Sequence, residues 1–261
     1  MQLIIAILSN AGGSGKTTLA AHLGYLLSQK NLKVGLIDLD PQGSLALFCG
    51  QPHIEVDHSL VSVLKEDFKG NWPFIPCWEQ ATDKVGLVQG GMGLTHSSNE
   101  LVLHNRGAYL LADRLTDFPL SHDVLLLDCP ATLGPLTLLA LTACTHILIP
   151  IQMEPKPVEG SAKFLEWYFS NSRQLRLNPI PEVLGFIPNR YDKTQAVSRR
   201  ILADLPEQLS KMGIATFPFI RKSTEFVNAS GAGLPLPLYR PAHKASKDFA
   251  PIVEAILGLR K

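Results

Sequence analysis

Apolar residues in this chain are grouped in short runs that are separated by stretches with helical spacing. The runs contain few polar positions, which is typical of parallel strands whose two faces are both covered. We expect strands in Leu3–Leu8, Lys33–Asp38, Val85–Val88, Asp123–Pro130, His146–Ile151 and Val183–Arg190, with a short last strand and loop in Ala215–Lys222.

Between these runs, apolar residues recur every three or four positions. We expect helices from Lys16 through Leu27 and over residues 101–115, 135–143, 160–175, 195–212 and 243–258. Strands that alternate with helices indicate an α/β fold. The predicted architecture is a doubly wound, mainly parallel β-sheet with helices on both faces, and residues 1–261 are expected to form a single domain.

A glycine-rich stretch joins the first strand to the first helix. Its glycines let backbone N–H groups surround an anion, and the N-terminus of the following helix adds partial positive charge. Lys16 is expected to reach the β- and γ-phosphates of a nucleotide, and the Thr17 hydroxyl to ligate Mg²⁺. The candidate nucleotide-binding residues are Gly12, Gly13, Ser14, Gly15, Lys16, Thr17 and Thr18.

Two later strands end in carboxylates. Asp38 and Asp40 fall on the same side of an extended segment after the second strand, and Asp128 ends a fully apolar run. The carboxyl ends of parallel strands face the crevice in which open α/β sheets bind ligands. We therefore expect Asp40 and Asp128 to join Thr17 around the Mg²⁺ ion, Asp128 through a water molecule. A solvated turn at the strand end is the alternative.

The order of these motifs resembles that of the ParA/MinD ATPases. Residues 12–18 are similar to the deviant Walker A loop of that family, and residues 38–43 are similar to its second motif. The resemblance implies an enzyme that hydrolyses ATP with Mg²⁺ and forms a nucleotide-sandwich dimer. It also implies that Asp40 orients the attacking water with support from Asp38, while Lys16 stabilises charge.

The chain departs from that family at one position. The signature lysine, which in the family reaches the partner subunit's phosphates, would fall where this chain has Ala11. The carboxysome-positioning branch called McdA lacks the same lysine, and a lysine from another element serves the opposite subunit there. Lys156, which lies between two prolines in the loop 152–160, is our candidate for that catalytic role. An ordinary exposed loop lysine is the alternative.

The resemblance also suggests which residues contact the base. In the family an asparagine after a late strand, or its neighbour, contacts the adenine, and this position corresponds to Asn189. Pro218 matches the proline that lies beside the adenine in the family. A turn-forming asparagine is the alternative for Asn189.

Charge is distributed unevenly although the net charge is only +1. Residues 1–189 carry 12 Lys or Arg against 17 Asp or Glu, while residues 190–261 carry 12 against 6. A basic segment can attract phosphate backbones. Arg221 and Lys222 match the segment with which ParA-type dimers bind DNA non-specifically. On charge alone, the patch could extend to Arg199, Arg200, Lys244 and Lys247. A solvated surface of mixed charge is the alternative.

Composition argues against a membrane or secreted protein. No apolar run approaches the roughly 18 residues of a membrane span, and the chain opens directly into a strand rather than a secretion signal. The four cysteines lack metal-site or redox spacing. The last helix ends in too short an apolar face to anchor well. We expect a cytoplasmic protein, and the resemblance to the ParA-type ATPases implies that it associates with the nucleoid.

The predicted function is that of a positioning ATPase. Its ATP dimer would bind nucleoid DNA without sequence preference, and a small adaptor protein of the McdB or ParB type on a cargo would stimulate hydrolysis. The missing lysine favours a carboxysome as the cargo. Three alternatives stay open: a plasmid or chromosome partition ATPase, a metabolic P-loop ligase of the same fold, and a scaffold that binds nucleotide without hydrolysing it.

Overall fold

The strands of the protein form one sheet. The computed structural model describes residues 2–260, with the side chains of all of these except 157–159. Numbered along the chain, the strands in this part are β1 Leu3–Ile7, β2 Val34–Asp38, β3 Ile75–Pro76, β4 Val85–Val88, β5 Val124–Asp128, β6 His146–Gln152 and β7 Glu182–Asn189. Their order across the sheet is β3-β4-β2-β5-β1-β6-β7. The edge strand β3 runs antiparallel to β4, and the other pairs are parallel.

Helices cover both faces of this sheet. Numbered in the same way, they are α1 Lys16–Ser28, α2 Ser44–Phe48, α3 Leu60–Leu64, α4 Gly93–Leu103, α5 Leu110–Asp117, α6 Pro135–Ala143, α7 Pro155–Gln174, α8 Ala196–Ser210, α9 Glu225–Gly231, α10 Leu236–Tyr239 and α11 Ala250–Gly258. Successive strand residues point to opposite faces. Ile5 and Ile7 accordingly pack in one core with α1 and α11, and Ala6 and Leu8 pack in a second core. The expected doubly wound, mainly parallel fold is confirmed.

The prediction of one helix over residues 101–115 is wrong. α4 ends at Leu103, a 3₁₀ turn covers Gly107–Tyr109, and α5 begins at Leu110. Gly107 packs directly against the end of α4, because a Cβ atom on Gly107 would stand 1.9 Å from the Leu101 carbonyl oxygen. The chain therefore turns sharply at a glycine that apolar spacing does not take into account.

Two predicted elements near the C-terminus also differ. Residues 215–222 form no strand and make only isolated bridges to the β7 region, through Thr216 and Arg221. Pro218 lies between these bridges and has no N–H group to donate to a ladder. The last helix is confined to α11, since residues 244–247 form a 3₁₀ turn and Asp248 pairs instead with Arg221.

The glycine-rich loop opens at the centre of the sheet. β1, which precedes the loop, lies between β5 and β6. Asp128 at the end of β5 is level with Ile7 on one side and with Asp38 on the other. The three strand ends that carry the loop and the acidic residues thus meet at one edge of the sheet, as expected for an open α/β fold.

His22 links the first helix to the C-terminal segment. Its ring is buried, with Nδ1 2.6 Å from the carbonyl oxygen of Thr18, and the backbone N–H of Leu236 donates to Nε2 at 3.0 Å. Phe249 stacks on the ring with the centroids 4.7 Å apart. This arrangement needs a neutral ring with its proton on Nδ1. Burial lowers the pKa of His22 from 6.5 to about 4.

The free energy of unfolding should therefore fall as the pH is lowered from 6.5 to about 4. Over this range the unfolded chain takes up a proton on His22 that the folded protein does not bind. The expected loss is about 1.4 kcal/mol per pH unit, or about 3 kcal/mol in all. Urea denaturation at a series of pH values measures it.

The control for this prediction is His22→Gln, which keeps a side-chain donor and an acceptor but does not titrate. The variant should show a shallower pH dependence than the wild-type protein. His122, whose pKa burial also lowers to about 4, is present in both proteins and cancels in the comparison. Identical slopes in the two proteins would contradict the prediction.

Candidate nucleotide-binding site

The loop between β1 and α1 has the backbone geometry of an anion cradle. Gly13 and Gly15 have φ angles of 73° and 92°, in the left-handed region that side chains disfavour, and Gly15 caps the N-terminus of α1. A Cβ atom on Gly15 would stand 2.0 Å from Nδ2 of Asn189. Position 15 must therefore be glycine for two reasons: its backbone conformation and its close neighbour. Gly12 and Gly13 are exposed at the tip of the loop.

Asn189 holds this loop in place. Its Nδ2 donates to the carbonyl oxygen of Ser14 at 2.6 Å, and its Oδ1 accepts the backbone N–H of Arg190 at 2.8 Å. The structure thus engages both ends of the Asn189 amide with protein backbone, which the sequence analysis did not anticipate. The predicted contact between Asn189 and the adenine stays a prediction. Pro218 is exposed in the segment beside β7, and its predicted role likewise stays a prediction.

Lys16 lies buried beneath the loop. Its Nζ donates to the carbonyl oxygen of Ala11 at 3.2 Å and lies 3.5 Å from Oγ of Ser9. Burial lowers the pKa of Lys16, and the nearby carboxylates of Asp128 and Asp40 oppose this effect. The ammonium therefore lies between the loop and the acidic strand ends, where it can also meet a phosphate.

Asp38 supports the turn that carries Asp40. Oδ1 of the buried Asp38 accepts the backbone N–H of Asp40 at 2.9 Å, and Oδ2 accepts that of Leu45 at 3.2 Å. Burial raises the pKa of Asp38 well above its usual value, and the neighbouring Asp128 raises it further. Asp40 is half-buried, and its Oδ1 accepts the N–H of Gln42 at 2.9 Å. Its Oδ2 has no hydrogen-bond partner among residues 2–260.

Gly90, at the end of β4, completes this turn and was missed as a site residue. A Cβ atom on Gly90 would stand 2.6 Å from the carbonyl oxygen of Asp38 and 2.8 Å from that of Asp40. The N–H of Gly91 donates to the Asp40 carbonyl at 3.1 Å. The signal that could have identified it is the pair of glycines that begins one residue after a predicted strand.

Asp128 is buried without a hydrogen-bond partner. Its side chain is 1% exposed, and neither carboxylate oxygen has a partner among the residues that the structure describes. Burial raises its pKa to about 7. The Thr17 hydroxyl and the Lys16 ammonium lie close enough to lower this pKa, although neither makes a hydrogen bond of normal geometry to Asp128.

Unpartnered carboxylate oxygens beside a phosphate-binding loop fit a hydrated Mg²⁺ ion. In nucleotide sites Mg²⁺ is held by one or two protein groups, with water and phosphate oxygens completing the octahedron. The Thr17 hydroxyl and Asp128 supply such a set. In the described part of the chain, no three His, Cys, Asp or Glu side chains form a larger metal cluster.

Lys156 lies in a helix rather than in the predicted loop. α7 begins at Pro155, whose fixed φ and missing N–H suit the first position of a helix, so Lys156 is in its first turn. Gly160 lies one turn further along, on the same side of α7. Its carbonyl oxygen accepts a hydrogen bond from Nδ2 of Asn10 at 2.9 Å, so this side of α7 contacts the glycine-rich loop. The Lys156 side chain is exposed.

The four predicted DNA-binding residues have different surroundings. Arg221 pairs with Asp248 through two bonds, of 2.7 Å and 2.6 Å. Arg199 donates to the carbonyl of Lys193 at 2.8 Å, and Arg200 lies 3.7 Å from Asp204. The fourth residue, Lys222, is about half exposed, and its Nζ lies 3.8 Å from a carboxylate oxygen of Asp192.

The structure thus brings the phosphate loop, Asp40 and Asp128 together around Lys16. Lys222 lines a small crevice with Arg190, whose guanidinium contacts the loop. Arg221 and Lys222 line an open cavity of about 500 Å³ that follows β7, and Arg200 lines a separate one beside Pro155. In residues 2–260, no helix has both the length and the apolar character needed to cross a bilayer.

Comparison with known sequences identifies the family of this chain. The model of the AAA domain family matches residues 2–178. The chromosome partitioning protein ParA of Caulobacter vibrioides is 29% identical over 262 residues, which cover 98% of this chain and 94% of that protein.

Solved structures show the same relationship. Apo McdA from Cyanothece matches with a TM-score of 0.87 and 26% identity over 98% of this chain and all of that one. The ATP complex of a McdA variant gives a TM-score of 0.86 with 26% identity, over 98% and 96%. Cobyrinic acid a,c-diamide synthase from Mycobacterium smegmatis, bound to ADP and magnesium, gives 0.76 with 27% identity, over 90% and 91%.

Proposed function

Because the chain belongs to the AAA domain family and to its ParA/MinD-type ATPases, we propose that it hydrolyses ATP with Mg²⁺ as the timing step of a dimerisation switch. The observation that carries this proposal is the buried, unpartnered carboxylate of Asp128. It lies at the same edge of the sheet as the phosphate loop and Asp40. A structural role in packing would not need such a group.

Each site residue has a defined task in this proposal. Backbone N–H groups of residues 13–17 and the Lys16 ammonium bind the phosphates. Thr17 and Asp128 would hold a Mg²⁺ ion, which would supply positive charge against the phosphates. Asp40, held by Asp38 and Gly90, orients the attacking water through its open oxygen. Asn189 keeps the loop in the cradle conformation.

Dimerisation needs a cation that reaches the facing subunit, since Ala11 cannot provide one. Lys156 is exposed, has no ion pair among the described residues, and lies one helical turn from the contact between Gly160 and the loop. A lysine in this place projects beside its own nucleotide site, toward the face that a second subunit would cover. We therefore assign Lys156 to the phosphates of the opposite subunit.

Replacing Lys156 by alanine should weaken ATP-dependent dimerisation by about tenfold or more, because a charged hydrogen bond to phosphate contributes about 1.5–3 kcal/mol. Sedimentation with a non-cleavable ATP mimic and Mg²⁺ measures the dimer dissociation constant. Lys69→Ala is the control, because it removes the same charge from another exposed lysine, which lies between α3 and β3. Equal dissociation constants for Lys156→Ala and the wild-type protein would remove Lys156 from this role.

The ATP dimer is also proposed to bind DNA without sequence preference. The ion pair between Arg221 and Asp248 joins two basic segments, so that Lys222 and Lys247 flank it on adjacent parts of the surface. Asp248 is only 8% exposed, and Arg221 therefore acts as a structural clamp between the segments. The exposed lysines are then the groups best able to meet phosphates.

The double substitution Lys222→Ala and Lys247→Ala should lower the affinity for non-specific duplex DNA and reduce the slope of log K against log salt by about 1–2. Fluorescence anisotropy over a salt series, with the ATP mimic present, measures both quantities. The control is Lys30→Ala with Lys69→Ala, which removes the same charge elsewhere on the surface. An unchanged salt slope in the first double variant would count against this surface.

The cargo is proposed from the likeness to McdA together with the missing signature lysine. Both favour a carboxysome-positioning ATPase that works with a small adaptor protein of the McdB type and associates with the nucleoid. The likeness to Caulobacter ParA supports plasmid or chromosome partition with a ParB-type adaptor as the alternative.

A metabolic ATP-dependent enzyme is the second candidate, because the chain also matches cobyrinic acid a,c-diamide synthase. DNA binding separates the two. The positioning ATPase should bind duplex DNA when the ATP mimic is bound and release the DNA when ADP is bound. A metabolic enzyme should not bind DNA in either state.

A further inference from the structure

Arg190 lies on the rim of the phosphate loop in an unfavourable backbone conformation. It follows β7 directly and has a φ angle of 54°, in the left-handed region. A residue with a side chain pays about 1 kcal/mol or more for this conformation, and such residues are concentrated at functional sites. Its exposed guanidinium reaches back to the loop, where Nη1 lies 3.4 Å from the carbonyl oxygen of Gly13.

The loop and Arg190 are held together by the same side chain. Oδ1 of Asn189 accepts a hydrogen bond from the backbone N–H of Arg190, and Nδ2 of Asn189 donates one to the Ser14 carbonyl. Although 177 positions separate Arg190 from Gly13, one buried amide therefore determines where the guanidinium stands relative to the glycines. A Cβ atom on Gly13 would stand 3.5 Å from Nη1 of Arg190, so the guanidinium covers one side of that glycine.

The positive charge of Arg190 has no negative partner in the described part of the chain. No described carboxylate lies within ion-pair distance of it, and Asp192, two positions along the chain, pairs with Lys222. Glu154 lines the same small crevice, but its carboxylate accepts from the Gln152 amide. Guanidinium has five N–H donors, and the one contact to the loop is long. Most of its donors are therefore available to an anionic ligand.

We propose that Arg190 binds a phosphate group of the nucleotide at the open face of the loop, as a second cation in addition to Lys156. This inference rests on the proposed ATP-bound dimer. The phosphate belongs either to the nucleotide of the same subunit or to that of the facing subunit. In both cases the planar guanidinium makes charged hydrogen bonds to phosphate oxygens.

The test compares Arg190→Ala with the wild-type protein in two measurements. The first is the affinity of dilute, monomeric protein for ADP and for a non-cleavable ATP mimic, and the second is the dimer dissociation constant with the mimic and Mg²⁺. A loss of about tenfold or more in monomer affinity assigns the phosphate to the same subunit. Unchanged monomer affinity with dimerisation weakened by about tenfold or more assigns it to the facing subunit.

Three further variants separate charge from backbone effects. Arg190→Lys should retain much of the wild-type behaviour, because it keeps the charge. Arg190→Gly should raise thermal stability by relieving the left-handed φ angle while losing the phosphate contact. Arg176→Ala is the matched control, since Arg176 is also exposed with a φ angle of 52° but follows the far end of α7.

The proposal is overturned if Arg190→Ala binds both nucleotides and dimerises as the wild-type protein does. That result would leave the proposed function intact, because the wild-type protein would still dimerise with the ATP mimic. If the wild-type protein itself stays monomeric with the mimic, the proposed function fails, and the monomer affinities alone then decide whether Arg190 contacts phosphate.

Discussion

Replacing Asp40 by alanine should slow ATP hydrolysis by about 100-fold or more while leaving ATP binding and dimerisation in place. The reason is that Asp40 makes no hydrogen bond to the glycine-rich loop in the described part of the chain, whereas one of its carboxylate oxygens is left to orient water. The variant should therefore accumulate as an ATP-bound dimer that stays on DNA. Single-turnover hydrolysis and DNA retention measure the two effects.

The structure provides a sharper variant for the same role. Asp40 accepts the N–H of Gln42, so alanine also removes a turn contact, whereas asparagine can keep that bond without the charge. Asp40→Asn should therefore match the thermal stability of the wild-type protein and still lose hydrolysis. Asp83→Ala, at an exposed position elsewhere, serves as the control for removing one carboxylate. Normal turnover by Asp40→Asn would show that another group orients the water.

Gly15→Ala should abolish useful ATP binding, with a loss of affinity of about 100-fold or more. The added Cβ would stand 2.0 Å from Nδ2 of Asn189 at a residue whose φ angle is 92°. Asn189 must then move, which breaks its bond to the Ser14 carbonyl and leaves a buried acceptor without a partner. The expected loss of stability is at least about 2 kcal/mol.

Gly231→Ala is the matched control for this loop variant, because a Cβ atom there would meet nothing within 4 Å. It should bind ATP as the wild-type protein does, with its thermal stability little changed. Isothermal calorimetry and thermal unfolding measure the two quantities. If Gly15→Ala retained the wild-type affinity for ATP, the cradle described here could not be the nucleotide site.

The sequence was sufficient to predict the features that depend on neighbouring residues. The apolar runs predicted the six main parallel strands, because a strand buried on both faces is apolar at every position. The glycine pattern before Lys16 correctly predicted that a helix begins there. Asp38 and Asp128 each end a strand as expected, so their meeting at one edge follows from the parallel order of the sheet.

Features that join distant parts of the chain could not be predicted in this way. Asn189 and Ser14 are 175 positions apart, and their bond depends on how β7 is placed relative to the loop. The DNA contact of Arg221 stays a prediction, but its pairing with the nearly buried Asp248, 27 positions away, has no signal in the local sequence. Lys156 was expected in the loop 152–160, whereas α7 begins at Pro155, because proline suits the first position of a helix.

Turns were the remaining source of error. The apolar spacing over residues 101–115 suits one helix, but the close packing of Gly107 on α4 divides it. Arg190 was interpreted only as the end of a strand, because nothing local indicates that its backbone is left-handed or that its side chain returns to Gly13.

The most direct test is the molar mass of the purified protein in solution, measured by light scattering or sedimentation with saturating nucleotide. With a non-cleavable ATP mimic and Mg²⁺ the protein should be a dimer, and with ADP it should return to the monomer. A protein that stays monomeric when saturated with the mimic and Mg²⁺ would contradict the proposal that nucleotide joins two copies and that hydrolysis separates them.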